Sequence, residues 1–305
     1  MTNLFTGFKT FEIINIKNSS IPTKTTPDYP DYIDGAAEIV YDPVAGVIRA
    51  CGGEEYNDDV DSCFIYDGLE WSEMAPTCEP WEGSFSFSDS YQRFSFFIPN
   101  IGWWMLKDGN CDNCNIISSC LYDTNTNTWR EGPSLPTPEQ FGYKLSPFEF
   151  CGALVNETHV MVSGGVIANR GPPISDVWMY NFLSNEWTPG PNMTKPRKAH
   201  SCAGISGGRV IVAGGDGLGG DLMDMEMFDP AADNGNGGWY GIGDLPEDDS
   251  DNHMLLQNGN DILWINYQKI WLYDLAENSW QLFEKQLTNR LSGGRAILIP
   301  DNFSL

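Results

Sequence analysis

Eight cysteines, three histidines and 42 acidic residues are the side chains of this 305-residue chain with the most chemistry in reach. The cysteines are Cys51, Cys63, Cys78, Cys111, Cys114, Cys120, Cys151 and Cys202. An even number permits complete pairing, although spacing alone leaves the connectivity open. Cys51 ends one apolar segment and Cys63 begins the next, which suits a bridge across the loop between them. Cys111, Cys114 and Cys120 crowd a second loop of the same kind. The pair Cys111-x-x-Cys114 lacks the second Cys/His pair that a tetrahedral zinc site needs. Disulfides, and with them an oxidising compartment, are therefore the preferred reading. His159, His200 and His253 are scattered singly, and no Gly-rich phosphate loop or Gly-x-Ser-x-Gly elbow is present.

The acidic residues outnumber 17 basic ones, for a net charge of −25. Such a surface repels nucleic acid and anionic lipid and attracts cationic partners. The sharpest clusters are Glu54, Glu55, Asp58 and Asp59, then Asp216 and Asp221, then Asp248 and Asp249. None has the alternating ligands and distal Glu of a calcium loop. No apolar run is long enough to span a membrane as a helix.

The elements that must hold these groups are written as a repeat. A Tyr or Phe is followed by a turn-rich stretch and a Trp in five places: Tyr66…Trp71, Tyr122…Trp129, Tyr180…Trp187, Phe228…Trp239 and Tyr273…Trp280. Successive tryptophans stand 58, 58, 52 and 41 residues apart. Upstream of three copies an apolar run ends in paired glycine: Gly52-Gly53, Gly164-Gly165 and Gly214-Gly215. The runs Val160-Met161-Val162 and Arg209-Val210-Ile211-Val212-Ala213 read as strands buried on both faces. Gly at their ends allows positive φ and close backbone approach. Each unit thus contains four short strands, and a lone four-stranded sheet cannot bury both faces, so the units must pack into a ring.

A period near 50 with a di-glycine and a Tyr…Trp pair resembles the kelch repeat, one β-propeller blade per copy. The resemblance implies an all-β propeller, with six blades expected. The boundaries are about 35–80, 81–148, 149–197, 198–250, 251–289 and 290–305, the last completed by an N-terminal strand at 8–17. That exchange would close the ring and remove exposed sheet edges. Cys151 and Cys202 then begin the first strands of adjacent blades, where they could face each other near the axis. Two units depart from the pattern: Lys107-Asp108-Gly109 replaces the glycine pair in the second, and Asn266-Tyr267 stands in the fifth with a very short loop.

Kelch propellers also resemble the catalytic domain of galactose oxidase, whose copper site needs two His and a crosslinked Tyr. No shared local motif here combines those residues, and His200, in Arg197-Lys198-Ala199-His200, matches the repeat's usual structural histidine. The expected function is non-enzymatic, with no cofactor: a monomeric propeller binding a protein or glycan through its loops. The acidic residues named above form one candidate surface, and Phe141 and Tyr143 in the long 132–145 connection are candidate aromatic anchors. A propeller oxidase, lyase or epimerase with a site in the central channel is the alternative. Sequons at Asn156 and Asn192 agree with secretion. The N-terminus reads as no signal peptide, so a leader removed from a secreted chain is expected, with a cytoplasmic protein as the alternative.

Overall fold

The computed structural model describes residues 3–7, 11–18, 20–30, 38–52, 54–55, 58–59, 62–77, 94–107, 118–136, 139–140, 143–144, 149–167, 171–248, 253–259, 261–288, 295–300 and 303. Strands β1 (Asn3–Gly7), β2 (Phe11–Asn15) and β3 (Lys24–Thr25) come first. The first repeat supplies β4 (Glu38–Asp42) and β5 (Val47–Cys51). A small hairpin of β6 (Glu54–Glu55) and β7 (Asp58–Asp59) follows, then β8 (Cys63–Tyr66) and β9 (Trp71–Met74). The second repeat holds β10 (Phe94–Ile98), β11 (Gly102–Lys107), β12 (Ser118–Asp123) and β13 (Thr128–Gly132). A hairpin of β14 (Glu139–Gln140) and β15 (Tyr143–Lys144) links it to the third, which comprises β16 (Cys151–Asn156), β17 (His159–Ser163), β18 (Val177–Asn181) and β19 (Glu186–Pro189).

The fourth repeat runs through β20 (Ser201–Ile205), β21 (Arg209–Ala213), the hairpin β22 (Asp216–Gly217) and β23 (Gly220–Asp221), then β24 (Asp224–Asp229), one helical turn α1 (Ala232–Gly235) and β25 (Gly238–Asp244). The fifth contains β26 (His253–Asn258), β27 (Asp261–Asn266), β28 (Lys269–Asp274) and β29 (Ser279–Leu282), and β30 (Arg295–Ile299) ends the described strands. Five repeats therefore form five consecutive four-stranded antiparallel blades, such as β20-β21-β24-β25, where six blades were expected. A further four-stranded sheet, β3-β2-β1-β30, draws on both ends of the chain.

That terminal sheet corrects one expectation. The strand beside β30 is β1, with Leu4 opposite Leu298 and Phe5 opposite Ile297. The strand foreseen at 8–17 is β2, one position further out and paired to β1. Its buried residues fall on two sides. Phe11 and Ile13 pack with Ile39, Ile48, Ala50 and Phe64 of the first blade, while Ile14 and Ile16 pack with Leu263, Ile265 and Ile270 of the fifth. Alternation along a strand puts successive side chains on opposite faces, and here both faces are buried. Four more apolar clusters lie between blades one and two, two and three, three and four, and four and five. The core is thus distributed between sheets. The second strands sit deepest, as their unbroken apolarity foretold: Val210, Ile211, Val212 and Ala213 are all buried.

The Tyr…Trp phrase has a direct structural meaning. Tyr66 and Trp71, Tyr122 and Trp129, Tyr180 and Trp187, Phe228 and Trp239, and Tyr273 and Trp280 are cross-strand partners on the outer hairpin of each blade. Their ring centroids lie 4.7–5.6 Å apart. A gap of seven leaves a turn whose last residue before the returning strand takes positive φ, and Asn127, Asn185 and Asn278 fill it at 55°, 61° and 50°. Asn tolerates that conformation, and each Oδ1 accepts the phenol O–H of its blade's Tyr. Each of these five Trp residues donates its indole N–H to a carbonyl in the segment before its own blade: Pro27, Ala75, Pro133, Pro191 and Asp244. The Trp therefore fills apolar space and ties a blade to its predecessor.

Candidate functional site

The loops between second and third strands share one face with the connections between blades. On that face the structure places two short acidic hairpins. In the first blade Glu54 pairs with Asp59 and Glu55 with Asp58 along β6–β7. In the fourth, Asp216 pairs with Asp221 along β22–β23. Gly217 and Gly220 form the second pair of that hairpin, and Leu218 at its tip is 73% exposed. Asp248 is exposed on the connection to the fifth blade. Tyr143 lies in β15 opposite Gln140. Asp249, Phe141 and Gly53 fall outside the described residues, as do Cys78, Cys111 and Cys114.

Cys51 and Cys63 stand at the base of the first acidic hairpin, directly opposite each other on β5 and β8, with sulfurs at 1.96 Å. Cys151 and Cys202 join the first strands of blades three and four at 1.95 Å. Cys120 is disulfide-bonded as well. Both sequon residues are exposed. Asn156 sits in the turn between β16 and β17 and accepts from Thr158 and His159, while Asn192 donates its side-chain amide to Asp176 at 3.3 Å.

The glycine pairs hold a polar junction between blades. Gly52, Gly164, Gly165, Gly214 and Gly215 all have φ between 66° and 92°. A β-carbon on Gly164 would meet the Arg197 carbonyl at 2.4 Å, and one on Gly215 the Lys198 carbonyl at 2.3 Å. The backbone of Lys195–His200 passes through the space that glycine leaves. Arg197, 0% exposed, donates to the Gly214 carbonyl (2.8 Å), to Asp224 Oδ2 (3.0 Å) and to Glu226 Oε1 (2.7 Å). Glu226 also accepts from the Thr194 hydroxyl and from the amides of Thr194 and Lys195. Burial pushes the Asp224 carboxyl up, but hydrogen bonds and charge from Lys195 and Arg197 outweigh it and leave the group below its ordinary range. Lys198 bridges Glu149 (2.8 Å) and Asp216 (3.4 Å). The Glu149 hydrogen bond is the main reason its ammonium is held above the usual value. Asp216 therefore arrives on the acidic face already ion-paired.

Sequence reasoning did not find these networks. Their signal was available: three of 17 basic residues fall within Lys195-Pro196-Arg197-Lys198, and such crowding in an acidic chain marks cations with assigned partners.

His200 is fully buried and its Nε2 lies 3.1 Å from Ser163 Oγ. Burial, then the charges of Arg197 and His253, push its pKa well below the ordinary value. Burial takes His253 down to about 3. Both are therefore neutral in the folded chain at pH values where an unfolded histidine already binds a proton. Stability from this source is complete above about pH 6.5 and falls as the solution is acidified, by about 1.4 kcal/mol per pH unit per histidine. Between about pH 6.5 and 5 most carboxylates remain ionised, so the melting temperature should drop across this interval. The His200→Asn variant should lose about half of that slope. An unchanged slope would show that His200 does not titrate on unfolding.

The residues at 147–194 match the family model described as Kelch motif. Kelch-like protein 23 of Homo sapiens is 33% identical over 113 residues, covering 36% of this chain and 18% of that protein. The F-box/kelch-repeat protein SKIP30 of Arabidopsis thaliana is 28% identical over 135 residues, 41% of this chain and 35% of that protein. This chain thus spans under two thirds of the length of the curated relatives it matches. A solved structure of YjhT superposes with a TM-score of 0.66 at 12% identity, covering 90% of this chain and 91% of that one. Residues 147–194 thus carry a kelch motif, and the chain as a whole shares the fold of that structure.

Proposed function

We propose that the chain is a non-enzymatic recognition propeller that engages a cationic protein through the face carrying the long loops. The observation behind this reading is the pair of acidic hairpins that blades one and four present on that face, on a chain of net charge −25. Loops on a rigid scaffold are suited to recognition, and the kelch-like relatives support a protein-binding role. We take the terminal sheet as a sixth blade that closes the ring, because it packs on both the first and the fifth, and we take the propeller to act as a monomer. The Ser163–His200 pair is 2% and 0% exposed, and we assign it a structural role.

The two disulfide-distance pairs support an extracellular setting. Affinity capture with the purified propeller, in parallel with an Asp216→Asn/Asp221→Asn/Asp248→Asn variant, tests the reading. A basic protein retained by the first and depleted by the second is the expected result. Equal capture by both would place recognition elsewhere.

A further inference from the structure

The fifth blade breaks the loop pattern. Between β27 and β28 only Tyr267 and Gln268 intervene, where blade four inserts its acidic hairpin. The missing loop leaves a notch on the same face, lined by Glu247, Asn266, Tyr267, Gln268, Lys269 and Gln286, with a volume of about 400 Å³. That lies within the range of small-ligand clefts, about 300–1,000 Å³. Its walls come from three places: the turn itself, the connection entering the blade (Glu247) and the connection leaving it (Gln286).

The chemistry of the lining is specific. Glu247 Oε1 accepts from Asn266 Nδ2 at 3.1 Å and from the Trp271 indole at 3.4 Å, and Oε2 accepts from Lys269 Nζ at 2.5 Å. Gln268 donates its amide to the carbonyls of Leu287 and Thr288, which fixes the orientation of its side chain. The floor is therefore a pre-ordered cluster in which the carboxylate and the ammonium neutralise each other. Tyr267 stands at the rim, 47% exposed, with φ +53°. A β-carbon disfavours that conformation. Most non-glycine residues that adopt it here are Asn or Asp, and Tyr267 is the one aromatic among the described residues. A bulky ring kept where Gly or Asn would sit without strain is an outlier that points to use.

We propose that this notch is a binding site for a neutral saccharide unit, with one face of a pyranose ring lying on Tyr267 and its hydroxyls bonded to Glu247, Gln268, Lys269 and Gln286. The C–H face of a sugar is weakly positive and complements the negative face of an aromatic ring. A polyol offers donors and acceptors together, as the carboxylate, amide and ammonium groups of the lining require. Apart from the Tyr267 ring, every side chain of the lining is polar or charged. An anion would meet the repulsion of the whole chain. The inference rests on other residues than the protein-binding reading and stands or falls separately from it.

The test uses the full chain and the methyl glycosides of glucose, galactose, mannose and N-acetylglucosamine, with saturation-transfer and protein-observed NMR. At least one glycoside should bind with millimolar affinity and shift the Trp271 indole resonance. Tyr267→Gly should abolish binding while the melting temperature stays equal or rises, because glycine accepts the positive φ. Gln286→Ala should weaken binding severalfold. The proposal is overturned if no glycoside binds, if Tyr267→Gly binds unchanged, or if a tetralysine peptide shifts the same resonances and is lost in that variant.

Discussion

Replacing Arg197 with methionine should destabilise the propeller by about 3–5 kcal/mol, the usual cost of breaking a buried ion pair from one side. The guanidinium is fully buried and holds Asp224, Glu226 and the Gly214 carbonyl in one network. Without it, Glu226, 1% exposed, loses its ion-pair partner in a site closed to water. Thr194 and Lys195 still donate to that carboxylate through their backbone amides, while the Lys195 ammonium is paired with Asp224. For a chain of this size the melting temperature should fall by about 5–8 °C. Adding Glu226→Gln to Arg197→Met should restore at least half of the loss, because the uncompensated charge is removed. A loss under about 1 kcal/mol for the single variant would mean that the network is dispensable.

Deleting residues 1–17 should have a larger effect and abolish cooperative folding. The deletion removes β1 and β2 and leaves β30 without the strand it pairs with. It also withdraws Phe11, Ile13, Ile14 and Ile16, each at most 4% exposed, from the two clusters beside the first and fifth blades. Burying four such side chains contributes about 6–12 kcal/mol, which is comparable to the net stability of a whole domain, about 5–15 kcal/mol. Thermal unfolding followed by far-ultraviolet circular dichroism should show no sharp transition. The single variant Ile14→Asp, which puts a charge into a fully buried position, should approach the same outcome. A deletion variant that melts like the full chain would show that the terminal sheet does not hold the ring together.

The parts of the fold legible in the sequence are those set by local geometry. Seven residues from Tyr122 to Trp129 are what a short turn needs to bring the two rings opposite each other, and Asn127 reports the positive φ that the turn demands. Cys51 and Cys63 could be matched because they flank one loop of one blade. The glycine pair at Gly214-Gly215 could be read as a close approach, and the Lys198 backbone is what approaches. The strand β1 could not be read in this way. Asn3-Leu4-Phe5-Thr6-Gly7 carries no repeat mark, and its place is fixed by pairing with residues nearly the whole chain away. The partners of Arg197, at Asp224 and Glu226, lie on the far strand of the blade's second hairpin, a separation that no local motif records. The notch at Tyr267 was half visible. The missing glycine pair and short loop stood in the sequence, but its walls come from connections on either side of the blade.

The account's central claim is that the acidic loop face recruits its partner by charge, and the association rate reads this most directly. With the basic protein retained by the propeller, association and dissociation rates are measured against ionic strength for the native chain and for Asp216→Asn/Asp221→Asn/Asp248→Asn. Exposed charges act over about 8–10 Å at physiological salt, so steering is felt during encounter more than in the bound complex. The native chain should associate about tenfold faster at low salt than at high salt. The variant should lose most of that dependence with a similar dissociation rate, and its melting temperature should fall by no more than the small contribution of the partly exposed Lys198–Asp216 pair. Identical association rates for the two proteins at low salt would contradict the claim and reduce the acidic hairpins to a means of keeping the propeller soluble.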